Sequence, residues 1–367
     1  MNLVLFLGAG FSVAHGLPVM DGFIRHAQLS NRLTEAQKAS LGQLVLKARA
    51  ANAFLSSSPT NLEHLLSFAV MADRLGLPGG GQLCAEMTLI LGQIYSEGLS
   101  LNDYGRQHDK FKKLILPKGA NRVNLPDHWK THELAVITTN YDINAEVAIR
   151  RLGFEIDLGF EPIPEDGTQN KFGLNLKMTS NLYSKSPNAS SLKLYKLHGS
   201  VNWFPSNDPI CPEEIRADGR MVRQQEVFGL AKNGMEPKED MPLVNDDHYW
   251  KLAPNSPIII PPSFLKPIFR GPLAEVWRGA AKALNRAHTV AFVGYSFPET
   301  DNEMLYLLAT AFSDNQNLQA IKIVDPRAQE ICDRLKSSSS RVGSHFQGLL
   351  RPERINSWVE IENIFDI

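Results

Sequence analysis

Cysteine is scarce: the chain has three in 367 residues, Cys84, Cys211 and Cys332, far apart and without a CxxC pair. That usage excludes a disulfide framework and a cysteine-built zinc site, and it fits a reducing cytoplasm. Charge of one sign is not in excess either. With 38 Lys and Arg against 39 Asp and Glu, the formal net charge is −1, which gives no electrostatic support for direct nucleic-acid binding. No apolar run approaches the roughly 20 residues that a membrane span needs. The amino terminus is apolar at once, without a basic segment ahead of it, and runs into Gly-Ala-Gly; it reads as a strand and not as a leader. Internal repeats and low-complexity tracts are lacking. The expectation is a soluble cytoplasmic protein whose 43% hydrophobic content is ample for a core.

What is present is a series of short apolar runs that end in polar residues. Leu3–Leu7 runs into Gly8-Ala9-Gly10-Phe11-Ser12, and Leu134–Ile137 into Thr138-Thr139-Asn140-Tyr141-Asp142. Leu192–Leu197 leads to His198-Gly199-Ser200, Pro257–Ile260 to Pro261-Pro262, Thr289–Val293 to Gly294-Tyr295-Ser296, and Ala320–Val324 to Asp325-Pro326. Near-continuous apolar runs of this length, separated by helical patterns, predict an α/β fold. Its core is a Rossmann-like parallel sheet with helices on both faces. In such sheets ligands lie beyond the carboxyl ends of the strands, where these motifs fall. The core is expected over about 1–30, 130–205 and 255–330. A helical insertion is expected over about 31–129, with Pro78-Gly79-Gly80-Gly81 as a turn between two of its helices. A loop insertion over about 205–256 and a C-terminal helical segment over about 331–367 complete one domain spanning 1–367. A second long loop covers 162–191.

Each motif admits a chemical and a structural reading. A strand ending in Gly-x-Gly can bring bare backbone amides to a phosphate, and it also describes an ordinary strand–turn–helix. Asn140 has an amide that both donates and accepts, as a ribose hydroxyl or a water requires. Asp142 equally well caps a helix whose inner side is Ala145, Ala148 and Ile149. His198, held at a strand end beside Gly199, is placed for general-base work near neutral pH, or for a structural hydrogen bond. Ser296 can donate to a phosphate where Gly294 allows close approach, ahead of a helix starting near Pro298 or Glu299. Trp203 can wall a pocket or fill a core. His128 and His132 stand four apart but without an HExxH pattern, so no metal site is expected. Arg106, Lys110, Lys112 and Lys113 read as a solvated helix face.

Taken together, the motifs resemble the sirtuin family, and within it the prokaryotic NAD-hydrolysing branch of antiphage defence proteins that lacks the zinc module. The family's opening Gly-Ala-Gly-hydrophobic-Ser stands here as Gly8-Ala9-Gly10-Phe11-Ser12, and its Gly-Ile-Pro as Gly16-Leu17-Pro18. Its T-x-N-x-D is Thr138, Asn140 and Asp142, its His-Gly is His198-Gly199, and its late Gly-x-Ser is Gly294-Tyr295-Ser296. The resemblance implies that NAD is bound as substrate by Gly8, Ala9, Gly10, Phe11, Ser12, Pro18 and Thr139, with Gly294, Ser296 and Asp325 on the adenosine side. Catalytic roles fall to Asn140 (nicotinamide ribose and water), Asp142 (nicotinamide amide) and His198 (general base). Two departures stand out. The four-cysteine zinc module after the His-Gly is represented by Cys211 alone, and the family's Asp-Phe-Arg by the loosely similar Asp21-Gly22-Phe23.

The expected activity is therefore an NAD glycohydrolase, with water as acceptor, that depletes NAD in antiphage defence. A non-catalytic NAD or ADP-ribose sensor is the alternative, followed by a protein deacylase or ADP-ribosyltransferase. A constitutive NADase would exhaust its own cell, so gating is expected. The resemblance points to homo-oligomerisation or a partner such as a HerA-type ATPase or a short Argonaute. Neither a metal nor a membrane partner is expected.

Overall fold

The structure is a computed structural model that describes residues 1–13, 16–51, 62–97, 111, 113–115, 132–152, 154–158, 191–205, 215–217, 258–260, 272–298, 301–338, 348–354 and 364–365. Its frame is a seven-stranded sheet. The chain enters through β1 (Asn2–Leu7), followed by the short helix α1 (Ala9–Val13), α2 (Phe23–Leu29), α3 (Glu35–Ala51), α4 (Leu62–Arg74) and α5 (Gly80–Glu97). Next come β2 (Glu133–Thr138), α6 (Asn144–Arg151), β3 (Glu155–Asp157), β4 (Ser191–Lys196) and a separate hairpin of β5 (Trp203–Pro205) and β6 (Ile215–Ala217). The last part is α7 (Pro272–Arg286), β7 (Thr289–Val293), α8 (Asn302–Ser313), β8 (Ala320–Asp325), α9 (Ala328–Ser338) and β9 (Leu350–Arg354). The order across the sheet is β3-β4-β2-β1-β7-β8-β9, and every pairing is parallel.

Consecutive residues of a strand face opposite sides of its sheet. Leu3, Val4, Leu5, Phe6 and Leu7 are all at most 1% exposed, so both faces of β1 are covered, as its unbroken apolar run requires. Helix ends follow local chemistry. Pro272 opens α7, where a missing N–H costs nothing, with Glu275 in the first turn and Arg286 in the last, in line with the helix dipole. Among the described residues no helix is long and apolar enough to cross a membrane.

Register decides what meets at the carboxyl edge. Leu7 pairs with Thr138 of β2 on one side and Val293 of β7 on the other. Thr138 pairs with Lys196 of β4, and Val293 with Val324 of β8. Gly8, Thr139, Leu197, Gly294 and Asp325 therefore emerge side by side. The chain builds outward from β1 through β2 and β4, then returns to β1's other flank with β7. The crevice between β1 and β7 is a topological switch point, the position where α/β sheets place ligands.

The α/β class agrees with the sequence reading, the described residues between β1 and β2 include the helices α3, α4 and α5, and three expectations need correction. Residues 258–260 do not form a sheet strand. Ile259 makes an isolated antiparallel bridge with Gly199, because this segment clamps the turn after β4 and does not extend the sheet. The region after 330 is not all helical: β9 adds a parallel edge strand to β8, so the sheet runs on to Arg354. The helix after Ser296 starts at Asn302, beyond Pro298 and Glu299. The 162–190 stretch, Cys211 and His128, like most of 205–256, lie outside the described residues.

Candidate active site

Polar groups at the ends of β1 and β2 are tied into one short network. Thr138 donates its Oγ1–H to the Leu7 carbonyl (3.0 Å) and accepts the Asn140 amide (3.0 Å), which fixes the backbone that carries Asn140. The Asn140 side-chain amide donates to the Gly8 carbonyl (2.9 Å) and to Ser12 Oγ (2.9 Å). Ser12 Oγ in turn donates to Asp142 Oδ2 at 2.6 Å, and Asp142 Oδ1 accepts the Asn144 N–H at 3.0 Å. Both hydrogens of the Asn140 amide are thus committed to protein, which fixes the amide and leaves its Oδ1 as an acceptor. Asp142 caps α6, whose Ala145, Ala148 and Ile149 are buried, while it also anchors Ser12. Capping and site-building coexist in this one carboxylate.

The His-Gly turn after β4 is held from two sides. Ile260 donates its N–H to the His198 carbonyl (2.8 Å), and Ser200 donates to Ile258 O (3.0 Å). Gly199 has φ +79°, and a Cβ there would lie 2.1 Å from Ile258 O, so only glycine fits between the two segments. Trp277 of α7 donates its indole N–H to Leu197 O at 2.8 Å, and the His198 ring lies between the rings of Tyr141 (6.2 Å) and Trp277 (6.3 Å). His198 is 4% exposed. Trp203 is fully buried and contributes packing, not a pocket wall.

The glycine turn differs from its sequence expectation. Gly8 and Gly10 donate their amides to Val293 O and Gly294 O, each at 2.9 Å. A Cβ on Gly8 would meet Gly294 O at 2.5 Å, and one on Gly294 (φ +64°) would meet Phe11 N at 2.5 Å. These glycines let the turns after β1 and β7 pack backbone to backbone. They do not present the Gly8 and Gly10 amides bare to a phosphate.

Above these turns lies a cavity of about 300 Å³, at the lower end of the size range of ligand pockets. It brings together Ala9, Gly10, Ser12, Pro18, Thr139, Asn140, Asp142, His198, Gly294, Ser296 and Asp325, residues drawn from every strand end that the sequence reading singled out around β1. Two expected cofactor residues are not in its wall. Gly8 lies beneath it in the backbone packing, and Phe11, 4% exposed, turns into the core against Phe111. The wall also holds residues that the sequence reading did not assign: Glu63 of α4, Tyr95 of α5, Tyr141, Tyr295, Asp301 and Arg327. For Glu63 and Tyr95 no local signal existed, since each sits inside an ordinary helical pattern. Arg327 stands two residues past a strand end, and that position was a usable clue.

Burial dominates the electrostatics. It pushes the hydroxyls of Tyr95, Tyr141 and Tyr295 well above the usual phenol range, and neighbouring carboxylates (Asp142 for Tyr95, Asp301 and Glu63 for the other two) push the same way. Tyr141 and Tyr295 are therefore neutral donors, to Ile260 O (2.8 Å) and Asp301 Oδ2 (2.9 Å). Beneath Asp142, Lys196 donates to the Asp142 carbonyl and pairs with Glu146 Oε1 at 2.7 Å, both side chains being fully buried. Burial raises the Glu146 carboxyl, and Lys196 opposes that shift. Among the described residues, no group of three or more His, Cys, Asp or Glu is arranged to hold a metal ion.

A family model described as SIR2-like domain matches residues 134–364, more than half of the chain. The chain belongs to this family. SIR2-like domains are NAD-using enzymes, and the crevice at the switch point lies where such a fold takes its dinucleotide. Among solved structures, that of Sir2Tm bound to a propionylated peptide is similar at 14% identity, covering 88% of this chain and 80% of that chain with a TM-score of 0.30. No curated protein matches the chain in sequence.

Proposed function

We propose that this SIR2-like chain is an NAD glycohydrolase, releasing nicotinamide and ADP-ribose, and that its activity is gated for antiphage defence by NAD depletion. The observation that carries the reading is the fixed Asn140 acceptor in the same cavity as His198. Nicotinamide is already cationic at the bonded nitrogen. It departs as a neutral molecule with the electron pair of the C1′–N bond, so no acid is required. The site has to support an oxocarbenium-like ribose and direct a water onto C1′. Asn140 Oδ1 accepts a hydrogen bond from that water, and His198 takes up the proton that the water loses. Ser12 and Asp142 hold Asn140, which gives Asp142 a positioning role in place of direct contact with the nicotinamide amide. Pro18, Thr139, Gly294, Ser296 and Asp325 are positioned to line the dinucleotide.

The test is NAD loss and product identity by chromatography and mass spectrometry, across a series of protein concentrations. Nicotinamide and ADP-ribose are expected, and His198→Ala and Asn140→Ala should each lower the rate at least a hundredfold while remaining folded. Full activity in either variant overturns its assigned role. Specific activity that rises with concentration supports self-assembly as the gate. A partner ATPase or short Argonaute that switches on an otherwise silent chain supports the other route. Tight NAD binding without product under both conditions favours the sensor reading.

A further inference from the structure

A dinucleotide would bring a dianionic diphosphate into the crevice, and the amides expected to meet it are already engaged. Gly8, Gly10 and Gly294 donate to Val293 O, Gly294 O and Val324 O, each at 2.9 Å, and Phe11 donates to Gly8 O at 3.0 Å. Thr139 donates to Leu7 O at 3.3 Å, and Asn140 to Thr138 Oγ1 at 3.0 Å. None of these amides is open to an anion. The side chains of the cavity wall are mostly of the wrong sign as well: Glu63, Asp142, Asp301 and Asp325 are carboxylates, and Arg327 is the one Lys or Arg among the described wall residues. The backbone of Arg327 is fixed. Its N–H donates to Asp325 Oδ1 at 2.9 Å, and its carbonyl accepts the Ile331 N–H at 3.0 Å. Its side chain is exposed, and the guanidinium makes no hydrogen bond or ion pair with a described residue. Sheet order sets its side of the site. Asn140 and His198 follow β2 and β4 on one flank of β1, whereas Ser296 and Arg327 follow β7 and β8 on the other. β8 lies two strand spacings from β1, roughly 10 Å. A dinucleotide with its nicotinamide ribose at Asn140 therefore runs across the end of β1 toward Arg327, with its phosphates between the two ribosides.

We infer that Arg327 is the phosphate-binding residue of the site: its guanidinium contacts the diphosphate of the dinucleotide and supplies the positive charge that the glycine turn does not. The inference rests on the NAD-hydrolysing reading and deepens it. Guanidinium is planar, stays charged at working pH, and can present two parallel N–H groups to phosphate oxygens. Without such a cation, a dianion would enter a wall of carboxylates against like charge. The diphosphate takes no part in the bond that breaks, and it carries the same charge in NAD⁺, in the transition state and in ADP-ribose. A contact to it is made equally in all three, so it governs affinity and not the chemical step. The same contact serves ADP, which keeps the phosphates and lacks the nicotinamide ribose.

The experiment measures binding of ADP-ribose, ADP and adenosine by isothermal titration calorimetry, beside steady-state nicotinamide release, for the full chain and for Arg327→Gln and Arg327→Lys. Both substitutions keep the backbone N–H on Asp325, and replacing an exposed side chain opens no core cavity. Arg327→Gln should weaken ADP-ribose and ADP about tenfold or more and leave adenosine within about twofold. It should raise KM for NAD⁺ about tenfold while kcat stays within about threefold. Arg327→Lys, which keeps the charge but loses the paired donors, should fall between. Added salt should weaken ADP binding more steeply in the wild type than in Arg327→Gln. ADP-ribose affinity unchanged in Arg327→Gln overturns the inference. An equal loss for adenosine and ADP overturns it too, because it marks a general disturbance of the crevice. If the wild-type chain binds ADP-ribose but releases no nicotinamide from NAD⁺, with or without a partner, the hydrolase reading falls. The Arg327 assignment is then decided by the binding ratios alone.

Discussion

Ser12 contributes a single hydroxyl that accepts from Asn140 Nδ2 and donates to Asp142 Oδ2. Removing it leaves a 3%-exposed carboxylate short of one donor and frees the Asn140 amide to turn. Ser12→Ala should cost about 1–3 kcal/mol of unfolding free energy, read by denaturant titration. Under conditions where the wild type is active, nicotinamide release should fall roughly ten- to a hundredfold, since misorienting the water acceptor removes a transition-state contact. An unchanged rate would show that Asn140 is oriented some other way. At this scale the sequence singled out Ser12, Asn140, Asp142 and His198, and the structure gathers them at one cavity, because each falls within a few residues of a strand end. It also singled out Gly8 and Phe11, which lie outside the cavity wall. A glycine needed for close approach to another backbone is spelled the same way as one needed for close approach to a phosphate, and only the packing of Gly8 on the turn after β7, where an added Cβ would lie 2.5 Å from the Gly294 carbonyl oxygen, tells them apart.

Two elements meet beneath the site through charge. Lys196 is the last residue of β4, two before His198, and Glu146 lies in the first turn of α6, four past Asp142. Their pairing at 2.7 Å with zero exposure locks the helix that Asp142 caps to the strand that delivers His198. Removing one partner leaves the other charged and buried. Lys196→Met should therefore destabilise the protein by about 3–5 kcal/mol, whereas Lys196→Met combined with Glu146→Leu should recover most of that loss. A double variant no more stable than Lys196→Met alone would count against the pair as the source of the cost. The sequence displayed both strand ends but not this link. Lysine within an apolar strand and glutamate at a helix start each pass for surface residues until register places them together.

Across the whole molecule the sheet is graded in protection. β1 lies between β2 and β7 and is buried on both faces, whereas β3 and β9 form the edges. Native-state hydrogen exchange should find the slowest amides in β1, β2 and β7, and earlier exchange in β9. Exchange in β1 as fast as in β9 would contradict the sheet order. By itself the sequence determined the α/β class, most of the strands that carry the motifs and the gathering of those motifs at the carboxyl edge of the sheet. Each of these follows from apolar periodicity and from residues adjacent in the chain. Tertiary structure alone decided that β9 extends the sheet past residue 330, and that residues 258–260 brace the His198 turn. It also decided that Glu63 of α4 and Tyr95 of α5 line the cavity. These are pairings between segments far apart in sequence. They depend on packing free energy summed over the whole core, which no local pattern records.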